Sequence, residues 1–545
     1  SLPEQKRLAV LAFRSAGSSD AERAFGDGLA ETLSSRLTQL ERFQGSFWVV
    51  PLSEVRRAGV DSAAAARRAL GANLAITGSV QQVGDRLRLT ANLVDATGLR
   101  QLRALSFDSP VGDLAALQDD FVRRVGEMLD LEIGGAAREV LDAGRTGDSG
   151  AYDAYLRGRG HLLDFQDPAA VEAAVADFQQ ALQRDADFAL AYAGLGEAYW
   201  RLWELRHEPE VVELARRACL RAVQLNDLLA PVHVTLGLLD RGTGQPERAL
   251  EAFDTALRLD PASAMARRER ARTLEDLGRR PQAEEAYREA IRLRPGDWAS
   301  HNALGRFLYV QGRIEDAAGQ FRRVTEIAPD NARGWTNLGG MYQLLGRHRD
   351  ARAAHERAVD LQPSPAALSN LGTLEYFLGD YPSAARTFER AVELDARSYK
   401  LWQNLAAARY WAPGQRARAP EAYRRAIELI GTALGVNPRD AMLYADRAEC
   451  RAMLGEGAAA RVDAERALAL APDDAQIAFR VAFVWEQLGE RDQALERLAA
   501  ALAGGYPSSE IEAHPGFAAL RANPGYRTLV AAAGPPGEGA ATQQD

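Results

Sequence analysis

Lysine is almost missing from this 545-residue chain: Lys6 and Lys400 are the only two, and arginine supplies the rest of the 66 basic residues. That excludes a Walker A phosphate loop and a kinase-type strand lysine, because both chemistries need an ammonium group in a fixed motif. Cysteine is equally scarce. Cys219 and Cys450 stand far apart along the chain, so neither an intramolecular disulfide nor a Cys-x-x-Cys site is expected, and the redox compartment stays open. No apolar run approaches the roughly 18–20 residues that span a bilayer, and no secretory-signal pattern is present. The seven histidines are scattered, with no His-Glu-x-x-His pair, and there is no Gly-x-Ser-x-Gly elbow or Gly-rich phosphate loop after a strand. The expectation is a chain that is not an enzyme and takes no metal and no cofactor. A net charge of -9 and a pI near 5.6 argue against nucleic acid as a partner. The chain begins with Ser1 instead of methionine and is expected to be a processed or excised piece.

What the chain has is a period. Ala249, Ala283, Ala317 and Ala351 recur every 34 residues, followed by Phe253, Tyr287, Phe321 and His355 and closed by Pro261, Pro295, Pro329 and Pro363. Ahead of these lie Leu236-Gly237, Leu304-Gly305 and Leu338-Gly339. Small residues at fixed places let two helices approach closely, an aromatic fills the gap one turn on, and proline ends the second helix. This pattern resembles the tetratricopeptide repeat, a helix-turn-helix unit of 34 residues. Such units stack by nearest-neighbour burial into a superhelix with a concave inner surface. Irregular units extend the series to about ten. The first begins at Tyr152 and Tyr155, the second carries a turn lengthened around His207 to Pro209, and another is delayed by an insertion from Trp411 to Ala419.

The region before the repeats reads differently. A buried strand over 7–13, an amphipathic helix over 21–43, a short strand over 47–50 and short helices capped by Ser53 and Ser62 precede three strands at 74–83, 87–95 and 101–107. Asp113 is expected to open a further helix to about Leu131. Gly26-Asp27-Gly28 is expected to serve the backbone as a cap or kink, ahead of the alternative of binding an anion at a helix start. The blocks Ala-Val-Leu-Ala-Phe (9–13), Phe-Gly-Asp-Gly-Leu-Ala-Glu-Thr-Leu (25–33) and Leu-Val-Asp-Ala-Thr-Gly (93–98) resemble the TolB amino-terminal-like, or FlgO-like, domain.

The fold class expected is α+β: a small α/β domain over 1–133, a linker over 134–150, and an all-α superhelical solenoid over 151–505. A capping segment over 506–533 and a disordered tail over 534–545 complete the chain.

Three asparagines, Asn337, Asn370 and Asn404, each precede the leucine of a repeat, in register on the expected inner face. Carboxamides donate and accept, so a column of them suits the backbone of an extended peptide; bonding a neighbouring helix is the structural alternative. Tyr309, Tyr376 and Tyr410 share one helical position, and Arg268, Arg272 and Arg306 lie nearby in sequence, which suits a carboxylate-bearing segment. The chain as a whole resembles the non-kinase region of a bacterial receptor-type serine/threonine kinase. That resemblance implies a sensor or scaffold that binds a protein or peptide in its groove, with an output domain attached upstream. It also implies an extracytoplasmic location behind a missing membrane helix, and otherwise a cytoplasmic one, with oligomerisation left open. A stand-alone scaffold or chaperone-like adaptor is the rival reading.

Overall fold

A computed structural model describes residues 2–15, 19–110, 114–142 and 146–533. Asp113 as a helix opener and the tail from 534 lie outside the described residues. The chain divides into two compact units, Ser1–Phe307 with Arg323–Asn331, and Leu308–Arg322 with Ala332–Asp545.

The first unit opens with a sheet. Strands β1 (Lys6–Val10), β2 (Arg14–Ser15), β3 (Phe47–Val50), β4 (Leu74–Val83), β5 (Arg86–Asp95) and β6 (Arg100–Pro110) take the order β3-β1-β4-β5-β6, with β2 also on β4. β1 runs parallel to β3 and β4, while β4, β5 and β6 form an antiparallel meander. β3 is wholly apolar and buried, and β1 is apolar and buried over Leu8, Ala9 and Val10, as parallel strands covered on both faces must be, whereas β5 alternates buried and exposed residues. Helices α1 (Asp20–Leu40), α2 (Leu52–Arg57), α3 (Ala63–Leu70) and α4 (Leu114–Met128) accompany the sheet. Ser19 and Glu22 form a capping box at the start of α1, and Ser62 caps α3 as expected. Ser53 lies one residue inside α2, which Pro51 precedes.

Helix α5 (Gly135–Asp142) leads to the array. In the first unit its pairs are α6 (Ser149–His161) with α7 (Pro168–Arg184), α8 (Ala189–Arg206) with α9 (Pro209–Leu225), α10 (Ala230–Gly242) with α11 (Pro246–Leu259), and α12 (Ala264–Asp276) with α13 (Arg280–Leu293). Helices α14 (Trp298–Val310) and α15 (Ile314–Ile327) follow. The second unit contains α16 (Ala332–Leu344) with α17 (His348–Leu361), α18 (Pro365–Phe377) with α19 (Tyr381–Leu394), α20 (Tyr399–Trp411) with α21 (Ala419–Val436), α22 (Ala441–Met453) with α23 (Gly457–Leu470), and α24 (Ala475–Gln487) with α25 (Arg491–Ala503).

Besides the Ser53 cap, two local expectations are corrected. The extra residues around His207 do not lengthen a turn. Only His207, in the left-handed conformation, and Glu208 separate α8 from α9, and the added length goes into the two helices. Gly26-Asp27-Gly28 does not cap α1, because the helix already starts at Asp20 and runs through them.

Gly28 has a packing role instead, shared with Gly160. A Cβ at Gly28 would stand 1.8 Å from the Leu156 carbonyl oxygen, and one at Gly160 would stand 1.9 Å from the Ala24 carbonyl oxygen. Helices α1 and α6 thus cross backbone to backbone, which only hydrogen side chains permit. One apolar core runs from the sheet through Leu29 and Leu33 of α1 into Tyr152, Leu156, Phe178 and Phe188 of the first repeats.

At the end of the second unit α26 (Ser508–Ala513) and α27 (Pro524–Ala533) flank two short 3-10 turns. Ile511, Phe517, Leu520 and Tyr526 bury against Phe483 and Val481 of α24 and complete the last core cluster.

Candidate functional site

In the second unit, Asn337, Asn370 and Asn404 are each the sixth residue of a first helix, α16, α18 and α20. Asn370 is exposed, and Asn337 and Asn404 are half-buried. Asn337 has an interaction of its own within the chain, whereas Asn370 and Asn404 make no side-chain hydrogen bond among the described residues. The same sixth position in α22 and α24 holds Asp446 and Arg480.

These two residues were missed from the sequence, although their place in the register would have found them. Asp446 is fully buried and accepts from Lys400 Nζ at 2.6 Å and Tyr399 Oη at 3.1 Å. Arg480 lies 3.0 Å from both Asp446 and Glu449. Burial pushes the Lys400 ammonium down, aided by Arg480. Burial also works against the Arg480 guanidinium, but Asp446 and Glu449 outweigh it and raise it. Beyond the three amides, therefore, the column continues as a compensated ion cluster.

The three helices carrying the amides hold a single carboxylate, Glu375, which is buried and accepts from Thr387 Oγ1 at 2.7 Å. Of the tyrosines at the twelfth position, Tyr309 is 40% exposed. Tyr410 lies 5.0 Å from Trp411 and under the Arg416 guanidinium at 4.1 Å. Tyr376 packs at 5.2 Å on Tyr381 and at 6.4 Å on His514 of the terminal segment, and burial raises its phenol well above its ordinary value. His514 also meets Phe483 at 4.9 Å, and burial pushes it down to about 4.

The three arginines belong to the first unit. Arg272 is exposed, Arg306 pairs with Glu275 at 2.9 Å, and Arg268 pairs with Asp297 at 2.7 Å. Arg268 also lines an open cavity of about 280 Å³, with α1, β3 and α2 on one side and the repeats on the other. No sequence pattern announced this cavity, since its walls come from segments remote along the chain.

Ion pairs hold those walls together. Arg159 bridges Glu31 of α1 and Glu197 of α8 at 2.7 Å each, and Arg294 pairs with Glu41. Burial raises the Glu31 carboxyl. At Glu197 burial acts the same way, but Arg159 and Arg201 together hold it below its ordinary value. Burial lifts Glu41 to about 8 against the opposing pull of Arg294 and of the Val49 N–H, which donates to it at 2.6 Å. Among the described residues, no group of three or more His, Cys, Asp or Glu is placed to hold a metal ion, and no helix is long and apolar enough to cross a membrane.

With this geometry in view, residues 234–297, 268–332 and 330–397 match family models described as tetratricopeptide repeat. The chain carries tetratricopeptide repeats. A putative adenylate cyclase 3 of Rhizobium meliloti (strain 1021) is 27% identical over 195 residues, 36% of this chain and 32% of that protein. The chain thus spans about a third of the length of the curated relative it matches. Among solved structures, a tetratricopeptide repeat protein from Parabacteroides merdae ATCC 43184 is 22% identical, covering 46% of this chain and 96% of its own, with a TM-score of 0.37. A thermophilic TPR protein of Thermus thermophilus is 23% identical, covering 33% and 98%, with a TM-score of 0.28. A small sheet domain followed by a long helical repeat array of this kind is a scaffold suited to protein–protein interaction.

Proposed function

We propose that this chain is the non-catalytic, partner-binding region of a bacterial signalling protein, and that an extended peptide segment of a partner lies along the first helices α16, α18 and α20. The observation that carries the reading is the chemistry of that surface. Three successive helices present a register of amides and aromatic rings with no exposed carboxylate, in a chain that holds 75 acidic residues. Amides that donate and accept satisfy the backbone of a strand whatever its side chains. The aromatic residues Tyr376, Tyr410 and Trp411 supply contact area at small entropic cost. A surface without exposed carboxylates selects against strongly basic segments and accepts neutral or acidic ones.

Binding alters the activity of an output domain elsewhere in the full protein by shifting its conformational equilibrium, to an extent limited by the difference in affinity between the two states. The resemblance to receptor kinases supports a kinase as that output. The name of the Rhizobium relative supports a nucleotide cyclase instead. The gene sequence upstream of Ser1 distinguishes the two, and an initiation codon near Ser1 would favour the stand-alone scaffold.

The test is affinity capture from a lysate of the source organism, using the chain beside an Asn337→Ala, Asn370→Ala, Asn404→Ala variant. A partner held by the parent and lost by an equally stable variant is the expected result. Equal capture by both would remove the amides from the binding surface, and collapse of the variant's thermal stability would make them structural.

A further inference from the structure

The cavity in the first unit is not accounted for by peptide binding in the second, and its walls have the makings of a small-molecule site. Its volume of about 280 Å³ lies at the lower edge of the ~300–1,000 Å³ usual for such sites. Three half-buried side chains in its lining, Ser35 and Gln39 of α1 and Ser53 of α2, have no hydrogen-bond partner among the described residues. Trp200, 4% exposed, lies in the same wall. Flat apolar surface comes from Trp48 and Trp298.

Most of the charged groups in the lining already have a partner within the chain. Arg268 faces Asp297, Arg294 faces Glu41, Arg201 pairs with Glu204 at 2.7 Å, and Arg159 neutralises Glu31 and Glu197 from behind. Arg42 donates to the Leu259 carbonyl oxygen and lies over the Phe43 ring at 4.8 Å. Asp260, raised by burial, accepts from the Ala262 N–H at 3.1 Å.

From this arrangement we infer that the cavity binds a neutral, hydroxyl-rich small molecule with a flat apolar face, a mono- or disaccharide. Hydroxyls and a carboxamide each donate and accept, as sugar hydroxyls do, so unpartnered Ser35, Gln39 and Ser53 match that ligand without a net charge. An ionic ligand would have to break or outbid pairs that are already made, at the desolvation cost of the charge left behind. The C–H face of a pyranose ring is apolar and packs on indole, and such burial supplies the attraction that the hydrogen bonds direct. Because α1 and β3 form one wall and the repeats the other, an occupied cavity also ties the sheet domain to the array. Ligand binding and the stability of the first unit are then linked.

The experiment is calorimetric titration and thermal denaturation of the whole chain with glucose, N-acetylglucosamine, maltose and cellobiose at millimolar concentrations, beside glucuronate and adenosine. Binding by at least one of the four neutral saccharides, with a raised melting temperature, is expected. Removing two hydrogen-bonding groups in Gln39→Ala, Ser53→Ala should weaken it about tenfold or more. Filling the cavity in Val234→Trp should abolish it while the circular dichroism spectrum is kept, and should Val234→Trp not fold, the double alanine variant decides. No binding by any of the four, binding only of glucuronate or adenosine, or unchanged affinity in the double variant would overturn the proposal.

Discussion

His355 offers the most direct test of how the array is packed. It stands where the neighbouring repeats have Phe253, Tyr287, Phe321 and Phe388, and it is 1% exposed with neither ring nitrogen hydrogen-bonded. The seat is shaped for a plain ring. A Cβ on Gly339 would come within 2.7 Å of the imidazole, much as one on Gly372 would come within 2.9 Å of the Phe388 ring in the next pair. His355→Phe is therefore a near-isosteric change that removes an unsatisfied donor and acceptor. Leaving such groups buried costs about 1–3 kcal/mol, so the variant should be more stable by about 2 kcal/mol near neutral pH.

The pH dependence sharpens the test. Burial pushes His355 from its ordinary 6.5 down to about 4, so the folded protein stays neutral there while the unfolded chain takes up a proton. The contribution is intact above 6.5 and is lost as pH falls toward 4, at about 1.4 kcal/mol per unit. Between about pH 7.5 and about pH 5 the parent should lose about 2 kcal/mol through this residue and the variant nothing. Urea unfolding at both pH values, followed by circular dichroism and by hydrogen exchange in α16 and α17, measures the difference where nearest-neighbour stability places it. A phenylalanine variant that is less stable at neutral pH, or that loses as much stability in acid as the parent, would refute the reasoning.

Three further outcomes are expected. Gly160→Ala, whose Cβ would meet the Ala24 carbonyl oxygen at 1.9 Å, should cost about 3 kcal/mol and strip hydrogen-exchange protection from both α1 and α6; unchanged protection would mean that the helices separate freely. Arg159→Met leaves Glu31 and Glu197 without their shared cation and should destabilise by about 3–5 kcal/mol, partly recovered by adding Glu31→Gln and Glu197→Gln; no recovery would show that packing, not charge, was lost. Glu41 has a folded value near 8 against an ordinary 4.5, so the folded state holds a proton that the unfolded chain has shed. Stability should fall as pH rises through that window and level off above it. Glu41→Gln should flatten the profile between those values, and parallel profiles for parent and variant would locate the pH dependence elsewhere.

Local order was legible because it is written in short-range patterns. Ser62 ahead of Ala63–Leu70, the alternation in Arg86–Asp95 and the alanine-aromatic-alanine spacing of regular second helices such as Tyr381–Leu394 all specify elements through neighbours a few residues away. The reading failed where a local signal had two outlets. Glycine in the stretch 26–28 can serve a cap or a close crossing, and the choice fell to Leu156 of α6, whose backbone faces Gly28 of α1. Around His207 the extra residues were free to enter a loop or extend the helices. Continuing α8 to Arg206 places Trp203 in stacking contact with Trp200 at 5.0 Å.

For function the division is similar. The register that puts Asn337, Asn370 and Asn404 at the sixth place of their helices follows from the 34-residue period alone. Asp446 and Arg480 hold that same place, yet only the packed structure shows that they join Lys400 and Glu449 in an ion cluster. Tyr376 is an ordinary repeat tyrosine in sequence, but the return of His514 onto it changes what it meets.

By itself, then, the amino-acid order determined the helices, strands, repeat period and apolar faces, because those depend on spacings of two to four residues and on a unit that recurs. Tertiary structure alone decided that Gly28 and Gly160 would be the crossing point of a sheet domain and a repeat helix, and that Ser35, Gln39, Trp200 and Arg268 would share one cavity. The physical reason is distance along the chain: contacts between segments hundreds of residues apart leave no periodic trace, and are selected only when whole apolar faces and buried charges must be satisfied together.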